Sequence, residues 1–262
     1  MELGLQGKSV LVLASSKGLG KATALQFAQE GANVMITSRS EEGLKQAAEE
    51  IREATGSEVA TFACDLTRPN DIKALIAEIV SRFGTVDVLV NNTGGPPGGT
   101  FDDFDDEEWQ HAFELTLLSY VRTIREVLPL MRKQQSGKII NITSTSIKQP
   151  IDNLILSNTF RNGVNGLAKT LATELAKDNI LINTVGPGRF DTDRVQEIDE
   201  ATSVKLGNTV AEIREKASKA IPLGRYGNPG ELAKLVVFLA SDANTYLTGQ
   251  SILIDGGQTK GL

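Results

Sequence analysis

Residues 10–30 constrain the fold of this chain more than any other segment. They begin with a short apolar run at 10–13, whose length and valine content are typical of a buried strand. A turn of small residues follows, and apolar residues then recur at helical spacing. A strand, a glycine turn and a helix N-terminus together form an anion site, because free backbone N–H groups and the positive helix end face one point. Gly18 and Gly20 would let a pyrophosphate approach the backbone closely, although two glycines also suit an ordinary turn between a strand and a helix.

Composition limits the kinds of protein that the chain can be. Its 262 residues, 40% hydrophobic and 23% charged, suit one large globular domain, which we predict over residues 1–262. The net charge of −6 and the lack of a basic run argue against nucleic acid or an anionic membrane as a partner. Cys64 is the only cysteine, so no internal disulfide can form. The sequence contains no signal peptide and no apolar run that could span a membrane, so we expect a cytoplasmic protein.

Strand-like segments alternate with helical ones along the whole chain. Strands are predicted at 10–13, 32–37, 59–63, 86–90, 138–143, 180–185 and 251–254. Every connection between them is long enough to hold a helix, which implies a parallel sheet with right-handed crossovers. We therefore predict an α/β single-domain Rossmann fold, with a doubly wound parallel seven-stranded sheet and helices on both faces. Its ligand crevice lies at the carboxyl ends of the strands, where five polar or glycine residues fall, namely Gly18, Asp65, Asn91, Ser144 and Gly188.

The residues after the second strand indicate which dinucleotide the crevice binds. An acidic residue there favours a free ribose 2′-hydroxyl, but this chain has Arg39 and no acid before Glu41. Arg39 and Lys17 together suit the 2′-phosphate of NADP, which arginine can bind through two hydrogen bonds. We expect NADP(H) rather than NAD(H), although both cations also suit a solvated surface. Asp65 is either a hydrogen-bond acceptor for the adenine amine or a turn residue.

A polar, partly helical segment follows the sixth strand. It covers residues 192–220, and with the turn before it we predict a substrate lid over residues 189–220. The identity of a small-molecule substrate depends on this segment and on the loop at 144–156. The long helical segments at 107–134 and 153–177 have more apolar surface than one sheet face covers. Such a surface favours a homotetramer or a homodimer, to be checked by light scattering at micromolar concentration.

An ordered set of motifs resembles the short-chain dehydrogenase/reductase family over nearly the whole chain. The motifs are the turn at 15–20, Asp65–Leu66, Asn91–Asn92–Thr93–Gly94, Asn141–Ile142–Thr143–Ser144, Pro187–Gly188 with Thr192, and Ile254–Asp255–Gly256–Gly257. The branch that they resemble most is that of 3-oxoacyl-acyl-carrier-protein reductases and related carbonyl reductases. The resemblance implies cofactor contacts from Ser15, Ser16, Lys17, Gly18, Leu19, Gly20, Arg39, Asp65, Leu66, Asn91, Thr93, Gly94, Arg161, Pro187, Gly188 and Thr192, and it implies no metal.

The same resemblance places different residues at three of the family's four catalytic positions. Its serine is Ser144, but its tyrosine and lysine fall on Ser157 and Arg161, and its asparagine falls on Thr116. A phenol has a pKa of about 10, which a nearby cation can lower, whereas a serine hydroxyl is a much weaker acid. Arg161 keeps the positive charge and can hold the nicotinamide ribose hydroxyls, but it cannot relay a proton. The sequence therefore predicts a divergent member without the usual Tyr-x-x-x-Lys pair.

Other side chains near these positions could replace the missing proton donor. Lys148 follows Ser144 in the same loop, and the single histidine, His111, precedes Thr116 on another helix face. Tyr120 lies one turn beyond Thr116, in a position that also suits the core. Residues 189 and 191 follow the Pro–Gly turn, where Arg189 could bind an anionic substrate or pair with Asp191.

Three functions remain open at this point. The first is an NADP(H)-dependent oxidoreductase of 3-oxoacyl-reductase type, with a non-standard proton donor. The second is a non-catalytic NADP(H)-binding or sensor protein on the same scaffold. The third is a lyase or isomerase that uses the bound cofactor without net redox change, which no sequence feature supports specifically.

Overall fold

Seven strands form one fully parallel sheet in a computed structural model that describes residues 2–261. Their order is β3-β2-β1-β4-β5-β6-β7. The strands are β1 (Ser9–Val12), β2 (Asn33–Ser38), β3 (Ala60–Ala63), β4 (Val88–Asn91), β5 (Gly137–Ile142), β6 (Ile180–Pro187) and β7 (Ser251–Ile254). The predicted doubly wound Rossmann fold is confirmed.

Nine α-helices occur in the part of the chain that the structure describes. They are α1 (Gly18–Gln29), α2 (Glu41–Thr55), α3 (Pro69–Phe83), α4 (Asp106–Phe113), α5 (Ser119–Gln134), α6 (Ile155–Leu175), α7 (Asp193–Leu206), α8 (Val210–Lys219) and α9 (Pro229–Ala240). The segment that the sequence predicts as one helix up to residue 134 is interrupted. A π-helical turn, Glu114–Leu118, joins α4 to α5 and contains Thr116.

The hydrophobic core consists of two clusters, one on each face of the sheet. One contains Phe27 of α1, Leu44 of α2 and Leu232 of α9, and the other contains Ile72 of α3 and Val127 of α5. Because helices cover both faces, the central strands are apolar on both sides, which is the pattern of a buried parallel sheet. Among residues 2–261, no helix has both the length and the hydropathy needed to cross a bilayer.

The strand order reverses at β1, which pairs with β2 on one side and with β4 on the other. The chains leaving β1 and β4 therefore turn to opposite faces of the sheet and leave a crevice between them. The turn 13–17 follows β1, and the turn 92–95 follows β4. The fold thus brings the predicted ligand segments to one edge of the sheet.

Candidate active site

A cleft of about 430 Å³ runs along the carboxyl ends of the strands. Its walls come from the turns after β1 to β6, from the start of α6 and from α7. Most of the site residues predicted from the sequence line it, namely Ser16, Lys17, Gly18, Leu19, Arg39, Asp65, Leu66, Thr93, Gly94, Ser144, Ser157, Arg161, Pro187, Gly188 and Thr192. Residues that are distant in the sequence therefore converge on one cavity.

Four predicted site residues do not line the cleft and are buried behind it. The Ser15 hydroxyl donates to Val12 O (2.7 Å) and accepts from Thr37 N (3.0 Å), so it fixes the turn to β2. The Asn91 amide donates to Asn141 Oδ1 (2.9 Å) between neighbouring strands. Gly20 packs against the turn after β1. The Thr116 hydroxyl is buried and has no hydrogen-bond partner among the described residues. These four residues shape the cleft wall from behind.

The turn after β1 has the backbone geometry of an anion site. Helix α1 begins at Gly18, and no side chain caps its N-terminus at Lys17, so its first N–H groups stay free to bind a ligand. Gly18 has a left-handed φ of 58°, which suits glycine. Ala14 has a φ of 46° although it carries a side chain, and the Asn92 side-chain amide donates to its carbonyl (3.1 Å). The turn is therefore held from behind and open toward the cleft.

We predict that Gly20→Ala displaces this turn. A Cβ at Gly20 would lie 2.5 Å from Ala14 O and 2.9 Å from Asn92 Nδ2, which is too close for either backbone or side chain. We expect the free energy of unfolding to fall by about 1–3 kcal/mol, the usual cost of an overpacked site. The matched control is Gly166→Ala in α6, where a Cβ meets no atom within 4 Å; it should stabilise by up to about 1 kcal/mol. Urea denaturation compares them, and equal effects would contradict the argument.

One end of the cleft is basic. Lys17 and Arg39 are both exposed there, and Lys17 Nζ lies 3.8 Å from Glu197 of α7. Asp65 stands beside Arg39. Partial burial opposes ionisation of Asp65, but hydrogen bonds from Thr67 and the charges of Arg39 and Arg68 outweigh it and hold its pKa below the usual value. Because Asp65 accepts from both Thr67 N and Thr67 Oγ1, it closes its own turn while it lines the cleft.

The other end of the cleft contains Ser144, Ser157 and Arg161. Arg161 is only 7% exposed, and its Nε donates to Ser157 Oγ (3.2 Å), one helical turn before it. Its Nη1 reaches the Ile142 carbonyl (3.4 Å) at the end of β5. The Ser144 hydroxyl accepts from Ser146 N (3.1 Å) and can still donate into the cleft. Two hydroxyls and one guanidinium therefore face the space beyond the glycine turn.

None of the alternative proton donors lines this end of the cleft. Tyr120 is fully buried, and its hydroxyl donates to the Ile142 carbonyl (2.7 Å). Burial raises the pKa of Tyr120, and the nearby charge of Arg161 only partly offsets this effect. Lys148 and His111 are exposed and lie outside the lining. The structure thus leaves no tyrosine or lysine at this end of the described cleft.

Several cleft residues were missed by the sequence reasoning. Asn92 and Cys64 each neighbour a residue that was predicted, and the repeated asparagine at 91–92 was the signal for the first of them. The apolar wall comes mainly from Leu115, Leu154, Phe190 and Ile198, which no local pattern distinguishes from core residues. Burial raises the pKa of the Cys64 thiol to about 12, so it is an inert wall group.

Ion pairs within the 189–220 segment join its start to α7 and α8, and Tyr226 connects this network to the chain that follows the segment. Arg189 Nη1 donates to Asp199 Oδ1 (2.9 Å), and Tyr226 donates to the second oxygen of this buried carboxylate (3.0 Å). Asp191 pairs instead with Arg214 of α8 (2.8 Å), so Arg189 and Asp191 do not pair with each other. Both guanidinium groups lie over the Tyr226 ring, at 5.8 and 4.8 Å. Helices α7 and α8 are therefore held through one tyrosine and one aspartate.

We predict that Asp199→Asn loosens α7 selectively. The asparagine side chain has one acceptor oxygen for the two donors, Arg189 and Tyr226, so one hydrogen bond is lost. Hydrogen bonds to a charged group contribute about 1.5–3 kcal/mol. Limited proteolysis should cut within 193–206 at least ten times faster than in the natural chain. Glu200→Gln is the matched control, because Glu200 is exposed on the same helix and, among residues 2–261, its side chain accepts only from Gln196. Equal cleavage rates for both variants would show that the network does not hold the helix.

Comparisons with known proteins agree with this geometry. Residues 13–259 match the model of the family described as enoyl-(acyl carrier protein) reductase. A 3-oxoacyl-[acyl-carrier-protein] reductase of Thermotoga maritima is 36% identical over 253 residues, which cover 97% of this chain and 98% of the relative. A putative ketoacyl reductase of Streptomyces coelicolor is 34% identical over 249 residues, covering 94% and 95%.

A solved structure has the same overall fold. It is the L-sorbose reductase of Gluconobacter frateurii, complexed with NADPH and L-sorbose, with a TM-score of 0.95 and 33% identity over 100% of both chains. The family resemblance inferred from the motifs is confirmed by the family match and by these relatives. This chain therefore belongs to the short-chain dehydrogenase/reductase family.

Proposed function

We propose that this protein is an NADPH-dependent reductase of carbonyl compounds. The observation that carries the proposal is the convergence on one cleft of a free helix N-terminus, two cations and, at the far end, two hydroxyls with a buried guanidinium. The order of these groups along the cleft matches that of a dinucleotide, from its ribose phosphate to its reactive ring. The relatives support the carbonyl group as the target, because two are ketoacyl or oxoacyl reductases and a third holds NADPH with a keto sugar.

The residues present fit NADPH. The uncapped N–H groups at Gly18 and Leu19 would hold the pyrophosphate, and Lys17 with Arg39 would hold the 2′-phosphate. Thr93 and Gly94 would line the path to the reactive end, near Ser144 and Arg161. When bound, the cofactor would supply a hydride to the carbonyl carbon.

The chain's own groups would act on the carbonyl oxygen. Hydride addition makes this oxygen an alkoxide, and the hydroxyls of Ser144 and Ser157 would donate hydrogen bonds to it. Arg161, bonded to Ser157 through Nε, would stabilise the developing negative charge but would not supply a proton. We assign the final proton to water in the open cleft. Because a weakly acidic donor replaces a phenol, we expect turnover about 10²- to 10³-fold slower than with a phenol.

A second candidate is a non-catalytic NADP(H)-binding or sensor protein. The observation that favours it is the position of Tyr120, whose hydroxyl is engaged with Ile142 and lies outside the cleft. With no phenol at the reacting carbonyl, a bound cofactor would serve as a signal rather than a reactant. In either case we propose that residues 189–220 form the lid that closes the cleft.

The test combines binding and turnover. Thermal unfolding is recorded with NADPH, with NADH and with no nucleotide; a ligand at about 100 times its Kd stabilises by about 2.7 kcal/mol. We expect a clear rise in Tm with NADPH and a smaller one with NADH. NADPH consumption is then followed over a panel of ketones and aldehydes. Failure to bind either nucleotide would refute both candidates, whereas binding without turnover on any substrate would leave the sensor. The predicted tetramer or dimer is checked on the same sample by light scattering.

A further inference from the structure

Arg161 is a buried cation without an anionic partner. It is 93% removed from solvent, yet no carboxylate among residues 2–261 lies within ion-pair distance of it. Its two hydrogen bonds go to a serine hydroxyl and to a backbone carbonyl, both of them neutral acceptors. A guanidinium has five N–H donors; the two at Nη2 have no acceptor among the described residues, and Nη2 is not a fully buried atom, so it opens onto the cleft. A buried charge in this state costs free energy unless something else supplies the counter-charge.

The surroundings of Arg161 are also suited to an anion. The acidic side chains that line the described cleft are Asp65, which stands beside Arg39 at the other end, and Asp193, which is exposed on α7. Thr93 is a buried residue that lines the cleft, and its hydroxyl has no hydrogen-bond partner in the described part of the chain. This end of the cleft therefore presents a guanidinium and a hydroxyl whose hydrogen-bond donors have no acceptor among the described residues.

We propose that Arg161 binds the carboxylate of a small oxo acid substrate. This inference rests on the proposed reductase function and specifies its substrate class. Ribose hydroxyls could accept hydrogen bonds from Arg161, but they would leave its charge uncompensated. The phosphates of NADPH belong to the glycine turn and to Arg39, at the opposite end of the cleft. A carboxylate matches the planar fork of guanidinium through two parallel hydrogen bonds.

The spacing at the site limits where the keto group lies. Ser157 Oγ is 3.2 Å from Arg161 Nε, so a carbonyl oxygen at the serine and a carboxylate at the guanidinium are immediate neighbours. Substrates whose two groups are adjacent or separated by one carbon would place them at these two neighbouring side chains. The site thus selects 2-oxo and 3-oxo acids with a free carboxylate, in contrast to a thioester-linked acyl group, which has none.

The test measures a specificity ratio within each variant. NADPH consumption is recorded with 2-oxobutanoate and 3-oxobutanoate and with their methyl esters. In the natural chain we expect kcat/KM to be at least 30-fold higher for one of the free acids than for its ester. Arg161→Met should reduce this ratio to about 1, and Arg161→Lys should give an intermediate value, because it keeps the charge but loses the fork. Arg132→Met, at an exposed ion pair with Asp178 on the far end of α5, should leave the ratio unchanged.

The ratio is informative even where a variant is less stable or less active overall, because both substrates meet the same protein. If NADPH is consumed and the esters react as well as the acids, the inference is wrong and the reductase function stands. If no substrate is reduced, the reductase function fails, and calorimetry with 2-oxobutanoate then tests the carboxylate site by itself. If the natural chain binds 2-oxobutanoate and the Arg161→Met variant does not, the carboxylate site stands without the reductase function. If the natural chain does not bind 2-oxobutanoate, the carboxylate site is wrong.

Discussion

The double variant Ser157→Tyr/Arg161→Lys is expected to reduce ketones and aldehydes that have no carboxylate about 10²- to 10³-fold faster than the natural chain. A phenol has a pKa of about 10, and a cation one helical turn away lowers it toward neutrality, so it can donate a proton as the alkoxide forms. The two positions already face each other, since Arg161 Nε bonds Ser157 Oγ. Both line the same cleft as Ser144, so an introduced ring would enter that cleft.

The matched control for this gain is Ser157→Phe/Arg161→Lys. It places the same ring and the same cation in the cleft but lacks the hydroxyl, so it should be no faster than the natural chain. Initial rates of NADPH oxidation at saturating cofactor compare the three proteins over the same carbonyl panel. A similar gain from the phenylalanine version would mean that pocket shape, rather than proton donation, limits the natural chain.

The binding state of the cofactor determines what a negative result means. If the tyrosine variant binds NADPH and still reduces nothing, the cleft accepts no carbonyl substrate beside the cofactor, and the sensor function gains support. If it reduces ketones while the natural chain does not, the natural chain has a competent substrate pocket that lacks only an acid.

The architecture was predictable from the sequence because burial on both sheet faces makes each strand a short apolar run between polar turns. Strand ends were less predictable, since pairing partners set them. Strand β6 continues to Pro187 because Pro187 pairs with Ile254 of β7, although the apolar run suggested an end at residue 185. The π-helical turn at Glu114–Leu118 had no local signal, because helix formers surround it on both sides.

The site was predictable as a set of turns but not as a set of side-chain contacts. Neighbouring residues of one turn take different roles: the Asn91 side chain bonds Asn141 inside the sheet, whereas Asn92 lines the cleft. Arg189 and Asp191 were candidates for pairing with each other, yet their partners come from α7 and α8. Such partners depend on how helices pack after a long connection, and no local spacing encodes that packing.

Replacing both cations at the basic end of the cleft, with Lys17→Met/Arg39→Met, should weaken NADPH binding about 100-fold and leave NADH binding nearly unchanged. Both cofactors meet the same glycine turn, and only NADPH has a ribose phosphate. Each charge-assisted hydrogen bond to a phosphate contributes roughly a factor of ten when the side chains are as exposed as these two.

Isothermal titration of the two nucleotides against each variant measures this selectivity directly. The matched control is Arg68→Met, which removes a cation 3.9 Å from Asp65 but outside the cleft lining, and it should change neither affinity. Raising the salt concentration should weaken NADPH binding to the natural chain more than to the double variant, because screening acts on charges that only the natural chain retains. If the double variant loses affinity for NADPH and NADH equally, the two cations act at the pyrophosphate. The preference for NADPH would then need another source.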